Sequence, residues 1–300
     1  MFQVLDKKRN FLGIPNENSS FENSKIVIVP IPYEHTVSYG KGTKDGPQAI
    51  LKASHYVEFY DEETQREIFY EYGIATLKPL ELNKKREREA LRLTYSVVKE
   101  LLGLNKFIVC IGGEHTISQA IIKAYAEKYS DLSILHFDAH SDLRQEYLGN
   151  KYSHASVMAR VCEILDPSRI VQVGIRAQCV EEAKFIREKK INTYYAYSIR
   201  QPETFFKLRR WEDEVVGKLS QNVFVSFDVD AFDPSIMPAT GTPEPNGLYW
   251  QEVMSCLKKV GLRKNIVGFD IVEFAPIKGL HSADITAARL ISKILNYALK

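Results

Sequence analysis

The chain of 300 residues has only four cysteines, and none of them is spaced as C-x-x-C. This scarcity excludes a disulfide framework and a cysteine-rich zinc site, and it is typical of a cytoplasmic protein with reduced thiols. The net charge is only +2, so the chain does not have the large excess of basic residues that is typical of nucleic-acid-binding proteins. The chain has no apolar run of the roughly 20 residues that a membrane helix needs. Its first residues also lack the basic-then-apolar order of a signal peptide. We therefore expect a cytoplasmic protein that binds neither nucleic acid nor membrane.

What the chain does contain is a regular alternation of short apolar runs and helical patterns. Strands are predicted at 25–30, 69–74 (an edge strand), 107–111, 133–137, 170–175, 192–197, 223–228 and 266–271. Helices are predicted at 48–57, 81–104, 116–129, 181–189, 203–219, 249–259 and 282–299. Such alternation favours an α/β fold with a parallel sheet covered on both faces. Because no repeat or composition shift marks a boundary, we expect a single domain over residues 1–300, with 1–24 as an irregular lead-in.

The strongest chemical signal is the run Asp-Ala-His-Ser-Asp at the end of the predicted strand 133–137. Asp138, His140 and Asp142 occupy alternate positions, and alternate residues of an extended chain point to the same side. Two carboxylates and an imidazole crowded together would destabilise one another unless a cation lay between them. The motif therefore predicts a site for a divalent metal.

Two further strand ends supply residues of the same types. Asp228 and Asp230 share one side at the end of the strand predicted at 223–228, and His115 follows a glycine pair after 107–111. Taken singly, such residues are more often turn residues or satisfied histidines. The carboxyl ends of parallel strands meet at one edge of a sheet, where open α/β folds bind ligands. Six ligand-type residues at three strand ends therefore favour one shared metal site.

The charges of these residues indicate how many ions are bound. Four aspartates carry a charge of −4, which two divalent ions would cancel, and six ligands suit two bridged ions better than one. An oxygen-rich set with two imidazoles favours manganese over zinc. A water held between two such ions loses a proton readily and becomes a nucleophile. The resulting charge of −1 favours a cationic substrate.

Five motifs together resemble the ureohydrolase family of arginase, agmatinase and their relatives: G-G-E-H, D-A-H-S-D, S-F-D-V-D-A-F-D-P, A-T-G-T-P-E-P-N-G-L and G-F-D-I-V-E. The resemblance extends from about Pro30 to the last residues. It implies a three-layer α/β/α sandwich with a parallel sheet of eight strands, and a homo-oligomer, either trimer or hexamer. It also implies that two manganese ions per chain hydrolyse a guanidinium group to urea and an amine.

The resemblance further assigns roles to individual residues. It implies that Asp138 and Asp228 bridge two manganese ions, one held also by His115 and Asp142, the other by His140 and Asp230. Glu273 matches the carboxylate that binds the guanidinium, for which paired N–H donors suit a carboxylate. His154 matches a histidine that lines the substrate channel and shuttles protons. Asp142, His154 and Glu273 are thus the predicted catalytic residues, and Glu273 and His154 are the predicted substrate-binding residues.

The loops around the expected site favour the agmatinase branch of the family. Arginases bind the α-carboxylate and α-amine of arginine with a loop S-G-N-x-H-G, and the corresponding stretch here is L-G-N-K-Y-S-H-A. The aspartate that contacts the α-amine in arginases aligns near Cys179, which cannot replace a carboxylate. The stretches E-Y-L-G-N-K-Y-S-H-A-S-V and P-Y-E-H-T-V-S-Y-G-K-G-T resemble agmatinases. We expect hydrolysis of agmatine to putrescine and urea, a step of polyamine biosynthesis.

Several alternatives share the same metal chemistry. N1-aminopropylagmatine, a longer cation, is the nearest competing substrate, and Ala155, where other agmatinases often have glycine, bears on substrate length. Arginase and guanidinobutyrase activities are less favoured. A formiminoglutamase would need cations for two substrate carboxylates, for which Arg144 and Arg176 are candidates. A non-catalytic member of the family would be expected to lack a ligand or Glu273, and the sequence retains them all.

Overall fold

Parallel strands form one eight-stranded sheet in the computed structural model, which describes residues 2–201 and 210–300. Numbered along the chain, they are β1 (Ile26–Ile31), β2 (Ile74–Thr76), β3 (Phe107–Gly112), β4 (Ser133–Phe137), β5 (Ile170–Ile175), β6 (Asn192–Tyr195), β7 (Asn222–Asp228) and β8 (Asn265–Val272). Their spatial order is β2-β1-β3-β8-β7-β4-β5-β6, and every neighbouring pair is parallel.

Helices cover both faces of this sheet. They are α1 (Gly46–Ser54), α2 (Ile68–Tyr72), α3 (Glu87–Gly103), α4 (Ser118–Lys128), α5 (Val157–Val161), α6 (Val180–Lys189), α7 (Ala196–Ile199), α8 (Trp211–Lys218), α9 (Trp250–Arg263) and α10 (His281–Ala298). In β1, Ile26 and Ile28 pack into one hydrophobic cluster, with α1, α8, α9 and α10, whereas Val27 and Val29 pack into another, with α3, α4, α5 and α6. The predicted three-layer α/β/α sandwich is therefore confirmed. Burial on both faces explains why the strands read as continuous apolar runs.

The edge-strand prediction for 69–74 is wrong, because that segment forms α2 and the strand β2 begins only at Ile74. Ile68 and Phe69 are both buried whereas Tyr70 is 73% exposed. Two adjacent buried residues suit one helical turn better than the strict alternation of an edge strand. Gly73, with φ of 60°, then ends the helix in a conformation that favours glycine.

Several other boundaries differ from the predictions; for example, the helix predicted at 249–259 extends to Arg263. The helix expected from residue 81 starts at Glu87, after a basic run that ends at Arg86. Acidic side chains stabilise the first turn of a helix and basic ones oppose the helix dipole, so the start moves to Glu87 and Glu89. The strand expected at 192–197 ends at Tyr195, and α7 follows directly. The predicted helix 203–219 corresponds to α8, and its residues 203–209 lie outside the described part of the chain.

The chain before β1 contains two short 3-10 turns, at Phe11–Gly13 and Asn16–Asn18, and Val4 forms an isolated bridge with Leu77. Within residues 2–201 and 210–300, no helix has both the length and the apolar character to cross a membrane.

The strand order determines where the site lies. From β3 the chain crosses two strand positions to reach β4, and β7 and β8 later fill the gap between them. The four central strands are thus β3, β8, β7 and β4. Ligands of open α/β sheets bind outside the carboxyl ends of strands where the strand order changes direction. The predicted site residues follow the carboxyl ends of these four central strands.

Candidate active site

His115 is at the centre of a buried group of carboxylates. Its Nδ1 lies 3.0 Å from Oδ2 of Asp142, 3.3 Å from Oδ2 of Asp138 and 3.6 Å from Oδ2 of Asp228. All four residues are buried. The structure therefore brings together, from three different strand ends, the four residues that the sequence predicts around one ion.

A second group lies beside the first and shares Asp138 with it. Nδ1 of His140 lies 2.9 Å from Oδ2 of Asp230 and 3.6 Å from Oδ1 of Asp138. Asp138 thus directs Oδ2 toward His115 and Oδ1 toward His140, so one carboxylate faces both groups. Asp228 is oriented by its own turn, because its Oδ1 accepts the backbone N–H of Asp230 at 2.9 Å.

A hydrogen-bond chain behind His115 places the proton of its neutral ring on Nε2. Asp270 accepts at Oδ1 from the backbone N–H of Phe227 and from the hydroxyl of Ser226, at 3.3 and 2.9 Å. Since the Ser226 hydroxyl donates to Asp270, its oxygen accepts from Nε2–H of His115, at 3.0 Å. Nδ1 is then the unprotonated nitrogen, and it is buried without a hydrogen-bond partner. A metal-ligating histidine is oriented in this way by its other nitrogen.

His136 contacts the cluster, although the sequence motifs did not point to it. Its Nε2 lies 2.8 Å from Oδ2 of Asp138, so distance alone would place it among the ligands. Gln172, however, donates Nε2–H both to the carbonyl of Ser141, at 2.8 Å, and to Nδ1 of His136, at 3.1 Å. Nε2 of His136 therefore carries the proton and donates it to Asp138. His136 orients a candidate ligand, and its signal in the sequence was a polar residue within an apolar strand.

Burial makes the charged forms of two of these aspartates, Asp142 and Asp228, unfavourable without a counter-cation. Desolvation, with a contribution from the charge of Asp138, raises the pKa of Asp142 to about 6. Burial also raises the pKa of Asp228 well above its ordinary value, and Asp230 and Asp138 add to the effect. Four aspartates, two imidazoles and an unpartnered Nδ1 fit two divalent ions, which would keep the carboxylates ionised.

Two site residues adopt the left-handed backbone conformation that non-glycine residues avoid. Asp142 has φ of 53° and Glu273 has φ of 63°. The carbonyl of Asp142 accepts from Met158 N at 2.9 Å, and Glu273 N donates to the carbonyl of Gly113 at 2.8 Å. Such strain of about 1–3 kcal/mol is typical of functional sites whose surroundings enforce it. Here it turns both side chains toward the cluster.

Glu273 and His154 lie in the same cavity as the cluster. The cavity has a volume of about 280 Å³, and seven of the eight predicted site residues line it, while Asp138 lies buried behind them. Glu273 accepts the backbone N–H of His115 at Oε1, at 2.6 Å. Desolvation, with Glu114 nearby, raises the pKa of Glu273 well above its usual range. A guanidinium bound there would relieve that cost.

His154 is held by a threonine on the opposite loop. Oγ1 of Thr36 lies 2.8 Å from Oε1 of Glu114 and 3.1 Å from Nδ1 of His154. Glu114 also accepts the backbone N–H groups of His35 and Thr36, so the Thr36 hydroxyl donates to it and Nδ1–H of His154 donates to Thr36. Desolvation, with the neighbouring His140, lowers the pKa of His154 to about 4. His154 is therefore neutral near pH 7, with Nε2 able to accept a proton.

The residues considered for binding substrate carboxylates are occupied elsewhere. Arg176 uses its guanidinium on backbone carbonyls, including those of Asp230, at 2.7 Å, and Glu244, at 2.9 Å. Arg144 lines the cavity but stacks on Tyr147, with its guanidinium carbon 5.2 Å from the ring centroid. Cys179, which aligns near an arginase aspartate, caps the N-terminus of α6 and is not among the cavity-lining residues.

The fold and the site together define an α/β enzyme with a carboxylate and imidazole cluster compatible with a binuclear metal centre. The sequence profile described as the Arginase family matches residues 24–296, so the chain belongs to the arginase family. It is a hydrolase of guanidino C–N bonds, a ureohydrolase close to the agmatinases, as its motifs predicted.

The proteins similar to this chain include ureohydrolases named for two related substrates. The N(1)-aminopropylagmatine ureohydrolase of Synechocystis is 36% identical over 287 residues, which cover 93% of this chain and 90% of that one. An agmatinase of Bacillus cereus is 33% identical, with 92% of each chain covered. Among solved structures, the agmatine ureohydrolase of Thermoplasma volcanium has a TM-score of 0.85 and 29% identity, covering 99% of this chain and 94% of that chain.

Proposed function

We propose that this chain hydrolyses agmatine to putrescine and urea with two manganese ions held by the aspartate and histidine cluster. The charge of the residues that line the cavity supports this proposal. Carboxylates line its buried and its open ends, whereas Arg144 is the one lysine or arginine among the described lining residues. Agmatine has a guanidinium at one end, an ammonium at the other and no carboxylate, so this lining suits it.

Glu273 positions the guanidinium in this proposal. Its Oε1 already accepts the N–H of His115, so Oε2 is the oxygen left for a substrate N–H. Bound divalent ions would activate water as a nucleophile and neutralise the carboxylates. The carboxylate of Glu273 then places the guanidinium carbon over the cluster, and this orientation lowers the entropic part of the barrier.

His154 transfers a proton to the leaving amine. Because its Nδ1–H donates to Thr36, Nε2 can take a proton released when the substrate carbon is attacked. The protonated imidazole is unstable in its buried setting, as the lowered pKa of His154 indicates. It therefore returns the proton readily to the amine nitrogen as the C–N bond breaks.

A urea-release assay on the manganese-loaded protein tests the proposal. The panel is agmatine, N1-aminopropylagmatine, arginine and 4-guanidinobutyrate. Agmatine should exceed arginine in kcat/KM by on the order of a thousandfold, since an unpaired carboxylate is costly to bury. Removal of metal with a chelator should abolish activity, and manganese should restore it better than zinc. Equal rates on agmatine and arginine would refute the substrate assignment.

N1-aminopropylagmatine is the second candidate substrate, and the Synechocystis relative favours it. The extra aminopropyl group adds a second amine beyond the agmatine ammonium, and the open end of the cavity must accommodate it. A kcat/KM at least tenfold higher for this compound than for agmatine would make it the better assignment. Arginase, guanidinobutyrase and formiminoglutamase activities are disfavoured because Arg144 and Arg176 are engaged by the protein itself.

We also propose a cellular location and an oligomeric state for the enzyme. We place the enzyme in the cytoplasm, in polyamine biosynthesis, as a single domain over residues 1–300 that forms a homo-oligomer. Trimers and hexamers would have masses of about three and six times the 34.3 kDa of the chain. Light scattering on the purified protein distinguishes these states from a monomer.

A further inference from the structure

Glu244 differs from the other carboxylates of the cavity. It lies in the loop after β7, is partly exposed and lines the cavity with Glu273 and the cluster. Within the described ranges its carboxylate makes no hydrogen bond or ion pair, although the charge of Arg176 acts on it and its backbone carbonyl accepts from that arginine. An unpaired carboxylate in a substrate cavity is a ready partner for a cation.

The other charges at the open end of the cavity cancel one another. Glu182 accepts the backbone N–H of Leu143 at 2.9 Å and that of Cys179 at 2.7 Å. Its Oε2 also lies 3.9 Å from Nε of Arg144. Glu182 is therefore fully engaged, and it offsets the charge of Arg144. Arg176 interacts electrostatically with Glu244 but does not line the cavity, so Glu244 remains the carboxylate at the open end that a substrate cation can reach.

The backbone of Glu244 is tied to the metal cluster through Arg176. The guanidinium of Arg176 donates from Nη2 to the carbonyl of Asp230 and to that of Glu244. Gly247, in the same loop, allows this approach, because a Cβ there would come within 2.6 Å of Nη2 of Arg176. One guanidinium therefore holds the backbone of Glu244 next to that of the candidate ligand Asp230.

We infer that Glu244 binds the ammonium at the far end of the substrate, and that the enzyme selects aminoalkyl guanidines by charge at both ends. The inference rests on the proposed function and adds the residue that binds the far end of the substrate. Glu273 binds the guanidinium, and Glu244 pairs with the ammonium some methylene groups away. A substrate with a carboxylate tail would meet Glu244 with the same charge and be rejected.

The test compares Glu244→Gln with the unaltered enzyme on two ligands that differ only at the tail. Agmatine carries the ammonium, and butylguanidine, used as a competitive inhibitor, lacks it. We expect KM for agmatine to rise about tenfold or more with kcat changed less than twofold, whereas the inhibition constant of butylguanidine stays the same. Glu146→Gln, which removes an exposed carboxylate of the neighbouring loop, is the matched control and should leave every constant unchanged.

The outcomes separate this inference from the proposed function. Urea release from agmatine by the unaltered enzyme, together with an unchanged KM in Glu244→Gln, would overturn the inference alone. Equal weakening of agmatine and butylguanidine would also overturn it, because a structural role of Glu244 would affect both. If neither agmatine nor N1-aminopropylagmatine releases urea, both the proposed function and the binding of the substrate ammonium by Glu244 are refuted. Glu244→Lys should raise the rate on 4-guanidinobutyrate relative to agmatine, and failure to do so counts against the subsite.

Discussion

The buried and the open ends of the cavity are constructed in different ways. At the buried end, candidate ligands follow β3, β4 and β7 directly, and two of them are held from behind: Ser226 accepts from Nε2 of His115, and His136 donates to Oδ2 of Asp138. At the open end, Arg144, Tyr147 and Glu244 lie on loops and are partly exposed. The candidate metal ligands are thus anchored at the ends of sheet strands, whereas the open end consists of loops, which can vary without disturbing the sheet.

The largest expected effect comes from the shared carboxylate at the buried end. Asp138→Ala should lose both ions and reduce urea release below detection, since Asp138 faces both His115 and His140. Asp142→Ala, the matched variant, faces only His115 and should retain one ion. Metal analysis of the two purified variants checks this difference. Two ions still bound to Asp138→Ala would contradict the bridging role.

Glu273 lies where the buried and the open ends meet, and Glu273→Gln tests the role of its charge. Glutamine keeps an acceptor for the N–H of His115 but loses the charge that pairs with guanidinium. We expect kcat/KM for agmatine to fall by about 10- to 100-fold, which corresponds to about 1.5–3 kcal/mol. Metal content should not change, and atomic absorption verifies this. Loss of an ion would instead identify Glu273 as a ligand.

A smaller effect is expected for the residue that orients Asp138. His136→Leu removes the donor to Asp138 without removing any candidate ligand, so manganese affinity should weaken by about 10- to 100-fold. Competition with a chelator measures the affinity. His55→Leu is a suitable control, because His55 bonds the carbonyl of Asn10 away from the cavity. Manganese affinity equal to that of the unaltered protein would show that Asp138 needs no such support.

The smallest effect is expected at Cys179, which lies near the open end without lining it. Serine is a better N-cap than cysteine, so Cys179→Ser should leave KM unchanged and stabilise the protein by about 0.5 kcal/mol. Urea denaturation and steady-state kinetics measure the two quantities. A changed KM for agmatine would place residue 179 in substrate binding after all.

The convergence of side chains at the buried end could be predicted from the sequence, whereas the arrangement of the open end could not, for a physical reason. Asp138, His140 and Asp142 are close in the chain and follow an apolar strand, so local pattern and strand geometry suffice to bring them together. The role of Arg176 could not be predicted in this way, because its carbonyl partners come from loops far away in the chain. His136 was missed for the same reason, since its tautomer depends on Gln172 in the next strand.

The central position of β8 has a consequence for how the molecule is assembled. β8 is the last strand along the chain, yet it lies between β3 and β7, and the bond from His115 N to Glu273 joins residues 158 positions apart. Before β8 inserts, β3 and β7 each present an unpaired edge, which exposes the intermediate to aggregation. The long-range contacts also make folding slow. Ions that bind the finished cluster would draw the equilibrium toward the inserted state, so manganese supply should govern the yield of refolding as well as the rate of catalysis.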